Sequence, residues 1–145
     1  MFRIKMKYQT YLYLDVDLTG GLKHDTFRTN SIYDPYFGTG GTQPTGHDQW
    51  SVLFDRYNVT YAKINCQFAQ NDNGVGSGSG MVIGVAATTA AVTGYTDYNE
   101  YATQRRARTK VMTDSNPKSI TMGLNTNSVY GMTNRQARTN KDLVA

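Results

Sequence analysis

The stretch NVTYAKINCQFAQ, residues 58–70, sets Ile64, Cys66 and Phe68 two apart, with Lys63, Asn65 and Gln67 at the alternate positions. Successive side chains of an extended chain point to opposite faces, so a period of two marks a strand with one buried face. Cys66 falls on the apolar side and is read as a buried strand residue rather than a nucleophile. It is the one cysteine of the chain, which excludes an internal disulfide and speaks against a secreted scaffold held by such bridges.

The same rhythm recurs on both sides of this segment. GMVIGVAATT (80–89), ARTKVMT (107–113) and KSITMGLNT (118–126) read as strands, the last with Ile120, Met122 and Leu124 two apart. RIKMKYQTYLYLDVDL (3–18) reads as the longest strand, with Tyr8, Thr10, Leu12, Leu14 and Val16 on one face and Tyr11, Tyr13 and Asp15 on the other. NDNGVGSGSG (71–80) has no Lys-Ser/Thr pair to close it and no helical pattern after it, so it reads as an inter-strand loop and not a phosphate cradle. Composition agrees: 145 residues, 39% hydrophobic and 18% charged, with eleven tyrosines, suit a single β-rich domain with one ordinary core. Residues 1–13 hold no unbroken apolar run and no window is long enough to span a membrane, so an unprocessed protein made inside the cell is expected.

One helix interrupts the strands. In HDQWSVLFDRY (47–57), Trp50, Leu53, Phe54 and Tyr57 fall at helical spacing and form one apolar stripe, with Asp48 placed to cap the N-terminus and Arg56 near the C-terminal end. Two to three turns are expected, packed against a sheet because so short a helix is marginal alone. Before it runs NSIYDPYFGTGGTQPTGHDQW (30–50), a long loop too aromatic for a disordered linker; Pro35 and Pro44 restrict their neighbours to extended forms. His24 and His47 have no second ligand or base at fixed spacing and read as solvated loop residues. Together these elements describe an all-β antiparallel β-sandwich, with the jelly roll among the candidates.

Charge is uneven. Residues 1–100 hold seven Lys/Arg against nine Asp/Glu, and residues 101–145 hold eight against two. Arg105, Arg106, Arg108 and Lys110 form the densest basic cluster, which suits either a phosphate footprint or a strand edge kept from pairing by its cations. Arg3, Lys5 and Lys7 alternate with Ile4 and Met6, which puts three cations on one face.

The loop carries a resemblance. Asn30-Ser31-Ile32-Tyr33-Asp34-Pro35, then Gly41-Thr42-Gln43-Pro44, then Gly46-His47-Asp48-Gln49-Trp50, followed by Phe54, Tyr57 and Val59 entering a strand, resembles the capsid proteins of circovirus-like, circular single-stranded DNA viruses that encode a replication initiator. The likeness runs over residues 30–68 and is looser elsewhere, where SVYGMT (128–133) is similar to a family segment. Thr42 stands where the family often has histidine, and only Arg3, Lys5 and Lys7 stand where it usually has an arginine-rich arm. The family's last strands are not all accounted for before Ala145, so the jelly roll is expected to be short at that end.

The resemblance implies a single jelly roll with one short helix in a long inter-strand loop, and a homo-oligomeric icosahedral shell, expected at 60 copies, enclosing circular single-stranded DNA. Tyr33 and Trp50 are then expected to anchor the loop, with Asp34, Pro35, Gln43, Pro44, Asp48, Gln49 and Tyr57 ordering it for contacts between copies. Arg3, Lys5, Lys7, Arg105, Arg106 and Arg108 are the expected non-specific nucleic-acid contacts. Sixty copies of a +4 chain carry about 240 charges against roughly 435 phosphates in its own coding length, so weak, salt-sensitive binding is expected. The virion, and the host nucleus during assembly, are the implied locations. No metal, cofactor, membrane insertion or enzymatic role is expected. Asp15 and Asp17 lie two apart on one strand face but lack a partner acid or base at a defined spacing. The alternative reading is a glycan- or ligand-binding β-sandwich that uses the tyrosine-rich faces.

Overall fold

The computed structural model describes residues 3–15, 22–54, 57–70, 80–88, 98–113 and 116–126. Its elements, in chain order, are α1 (His47–Ser51), β1 (Tyr61–Phe68), β2 (Met81–Ala86), α2 (Tyr98–Ala102), β3 (Ala107–Met112) and β4 (Lys118–Asn125). The strands form two antiparallel pairs, β1 with β4 and β2 with β3. The chain divides into two compact units, residues 63–124 and residues 1–62 with 125–145.

In the 63–124 unit the period-two pattern becomes a core. β2 and β3 pair from Met81 opposite Met112 to Ala86 opposite Ala107, which sets Met81, Ile83, Val85 and Met112 on one face. Ile83 and Met112 of that face and Ile120 of β4 are buried together, with Phe68 of β1 packed against them. Met112 is 1% exposed, and burying a side chain of its size contributes about 1.5–3 kcal/mol. β1 alternates exposed and half-buried along its whole length, with Ile64, Cys66 and Phe68 on the inner side as their spacing predicts. Across β4 the Thr121 hydroxyl donates to the side-chain oxygen of Asn65 at 3.0 Å, a polar cross-strand pair on the opposite face. Burial pushes the Cys66 thiol pKa up.

β3 and β4 are joined differently. Arg108 Nη1 donates to the Thr121 carbonyl at 2.7 Å and Lys110 Nζ to the Ser119 carbonyl at 2.8 Å, so cations two apart on one strand take carbonyls two apart on the next. Both cations share the face of Ile83 and Val85, and their length carries the charged ends to the rim of that face. On the other face the Tyr101 ring of α2 lies over Gly84. A Cβ there would sit 2.7 Å from the ring, so the close approach requires glycine.

In the other unit, hairpin bonds and aromatic contacts replace long ladders. Phe37 N donates to Thr26 O (2.9 Å) and Arg28 N to Pro35 O (2.7 Å) around an isolated bridge between Phe27 and Tyr36. Tyr8, Phe27 and Tyr36 make a chain of ring contacts with centroids 6.5 and 5.6 Å apart. The buried Thr126 hydroxyl donates to the Val59 carbonyl, and Thr126 N donates to Thr60 O at 3.2 Å.

Three expectations need correction. Residues 3–15 form no ladder strand. Exposure alternates only in part: Met6, Tyr8 and Leu12 are half-buried between exposed neighbours, but Ile4, Thr10 and Leu14 are exposed, because without a paired strand nothing covers that face along its whole length. The helix expected over 47–57 closes after five residues, and Leu53 N and Phe54 N both donate to Trp50 O in a closing turn. A second helix, α2, stands where the strand reading placed none; Tyr98, Tyr101 and Ala102 have the helical spacing that marks it.

Candidate functional site

The 30–50 loop is held by its own chemistry. Arg28 carries most of it: Nη1 donates to the Asp34 carbonyl at 3.1 Å and lies 3.5 Å from Asp34 Oδ2, while the guanidinium sits 4.8 Å from the centre of the Phe37 ring. The ion pair closes the Tyr-Asp-Pro corner over the hairpin bond that Pro35 O accepts. Tyr36 OH donates to Asp25 Oδ1 at 3.0 Å, and that bond, the largest cause, raises the Tyr36 pKa above the ordinary 10.0. Neither Arg28 nor Asp25 is legible as a loop tie from sequence, because the pairing partners are six and eleven residues away and no short motif links them.

At the far end of the loop, α1 starts without the expected side-chain cap. Asp48 lies inside the helix. The N-cap is Gly46 at φ 88°, a left-handed conformation that costs an L side chain about 1–2 kcal/mol, and no side chain bonds to the free N–H groups. Asp48 Oδ1 instead accepts from His47 Nδ1 at 3.2 Å in the tautomer that carries the proton there, and the Asp48 carbonyl accepts the Ser51 hydroxyl at 2.8 Å. His47 is not solvated: it is buried, with the Tyr33 ring edge-on at 5.6 Å, and His24 is half-buried. Pro44 is buried and its carbonyl accepts His47 N at 3.0 Å.

The expected anchors therefore divide. Tyr33 touches His47 by its edge yet remains largely exposed, and Trp50 is half-buried and stacks on Phe54 at 6.0 Å. Gln43 and Gln49 are exposed, and their side chains make no hydrogen bond among the described residues. Most of the apolar stripe turns to solvent. Leu53 is 68% exposed, Phe54 and Tyr57 are exposed as well, and Val52 beside them is 84% exposed. Arg56 lies outside the described residues, as do Asp17 and the SVYGMT segment.

Compared with protein families, with curated proteins and with solved structures, the chain matches none.

The six expected nucleic-acid cations fall in both units. Arg3, Lys5 and Lys7 are exposed together on one face of the 3–15 segment. Arg105 is exposed in the turn after α2 and Arg106 is half-buried, its carbonyl accepting Ala87 N at 3.2 Å. Arg108, by contrast, spends its guanidinium on the β4 carbonyl of Thr121. No cluster of metal-ligating residues occurs among the described residues, nor does any helix there have the length and apolarity to cross a membrane.

Proposed function

We propose that the chain is the subunit of a self-assembling icosahedral shell, a jelly-roll coat protein of the circovirus-like kind, enclosing single-stranded DNA in the virion. One observation carries the reading. Val52, Leu53 and Phe54 follow directly on a helix whose start is fixed by buried His47 and Pro44, so an ordered support presents successive apolar side chains to water. Such surfaces on soluble domains mark contacts with another macromolecule, and identical copies are the partner that the loop's family likeness implies. The loop ties at Arg28, Asp34 and Tyr36 then serve precision: a contact repeated in every copy must be offered in one geometry. Nuclear assembly in the host belongs to the same reading.

Sedimentation and negative-stain imaging of the full chain test it. Round particles about 20 nm across are expected from some 60 domains of this size. Val52→Glu with Leu53→Glu should leave the circular dichroism spectrum of the subunit unchanged and abolish the particles, because both side chains are already largely exposed. A wild-type protein that stays a monomer or small oligomer at every concentration favours the ligand-binding β-sandwich and overturns the shell, as does a double variant that assembles normally.

A further inference from the structure

The segment 3–15 carries a second pattern on the face that bears its cations. Arg3, Lys5, Lys7, Gln9, Tyr11, Tyr13 and Asp15 occupy alternate positions and every one of them is exposed. Tyr11 is 87% exposed and Tyr13 64%, although tyrosine rings carry enough apolar surface to favour cover. Part of the opposite side is held: Met6 and Leu12 are half-buried, and Tyr8 packs edge-on against Phe27, which in turn meets Tyr36, while Ile4, Thr10 and Leu14 are exposed. The segment is therefore attached at residues 6, 8 and 12 and leaves the tyrosine and cation row open to water.

We propose that Tyr11 and Tyr13 clamp one base of a single-stranded nucleic acid whose phosphates run along Lys7, Lys5 and Arg3. The clamp requires residues 11–13 to be extended when the strand is bound: side chains two apart on an extended chain stand about 6.6 Å from each other, close to twice the roughly 3.4 Å separation of stacked bases along a strand. One unpaired base fits between the rings, whereas duplex bases have both faces covered by their neighbours. Cations at one end supply the charge for phosphate and aromatic rings at the other supply stacking, the combination that single-strand binders use. Asp15 closes the row with a negative charge that turns the backbone away. An acidic peptide would use the cations but leave the tyrosine pair without a role. The inference deepens the reading of Arg3, Lys5 and Lys7 as a nucleic-acid contact, and it stands whether or not the chain assembles.

The test uses the full chain and a fluorescein-labelled oligothymidylate of about eight nucleotides, with an abasic phosphodiester of equal length as control. Fluorescence anisotropy is followed between about 50 and 200 mM salt. Thymidylate should bind about tenfold more tightly than the abasic strand, and Tyr11→Ala or Tyr13→Ala should each remove about that factor without changing the salt slope, while Tyr11→Phe retains it. Arg3→Ala, Lys5→Ala and Lys7→Ala together should lower the logarithmic salt slope by about two, at roughly 0.7 per phosphate contact. Equal binding of thymidylate and abasic strands, alanine variants that bind like the wild type, or polyglutamate competing as well as thymidylate would each overturn the proposal. Particle size measured in the same samples keeps the two readings apart: tyrosine-dependent binding by a monomer sinks the shell alone, and tyrosine-independent binding by particles sinks the clamp alone.

Discussion

Residues 63–124 and residues 1–62 solve the same problem in different ways. The first hides apolar side chains between paired strands: Ile83, Met112 and Ile120 meet in one cluster, and two strand pairs satisfy the backbone. The second orders its chain by point contacts, among them the Arg28–Asp34 ion pair, the Tyr36–Asp25 hydrogen bond and rings meeting edge to edge, and leaves Tyr11, Tyr13, Tyr33, Val52 and Leu53 exposed. Burial there serves the loop corners more than a shared apolar centre. The contrast teaches where to look for stability and where to look for function, since an apolar residue that is not used in the core is free to be used on a partner.

The comparison breaks most readily at Met112. Met112→Ala should cost about 2–5 kcal/mol through the cavity it leaves, read as a lower denaturation midpoint with little change in the loop's own contacts. A loss of less than 1 kcal/mol would mean that the cluster is not the centre of stability. Next comes the turn before α1: Gly46→Ala forces a side chain into the left-handed region and should cost about 1–2 kcal/mol. Its sharper readout is local, because Trp50 fluorescence should report the displaced helix while the β2–β3 ladder keeps its hydrogen-exchange protection.

The smallest effect concerns pH. Tyr36 has a folded-state pKa raised above 10.0, first by its hydrogen bond to Asp25, so the neutral phenol is the form that the fold favours. Its contribution is complete below the ordinary tyrosine value and disappears as pH climbs through the raised one. Ultraviolet titration should show the Tyr36 phenol ionising later than free tyrosine, and Tyr36→Phe should remove that late contribution. A titration unchanged by the substitution would show that the hydrogen bond does not hold the hairpin in solution.

Strand positions were largely legible because a period of two survives in the sequence wherever one face is buried: 58–70, 80–89, 107–113 and 118–126 each contain an observed strand. The 3–18 segment shows the limit of that signal, since over residues 3–15 only Met6, Tyr8 and Leu12 of the apolar side are half-buried and no ladder forms. The helix was placed in the right segment, but its cap is Gly46 rather than Asp48 and its end comes sooner than expected, because the stripe Trp50, Leu53, Phe54, Tyr57 reads identically whether it faces a core or water. Of the candidate site, the Tyr-Asp-Pro corner was visible as a motif. Arg28, which holds it, was not, for its link to Asp34 exists only once the hairpin has closed.

The sequence by itself determined the antiparallel β character, the inner-side strand position of Cys66, which is half-buried rather than buried, and the exposed cations at residues 3, 5 and 7, since all three follow from local pattern. Only the tertiary structure decided that Arg108 and Lys110 bridge to β4 carbonyls, that His47 is buried and that Leu53 and Tyr11 face water. Those outcomes depend on which segments distant in the chain arrive beside one another, and side-chain periodicity carries no record of that.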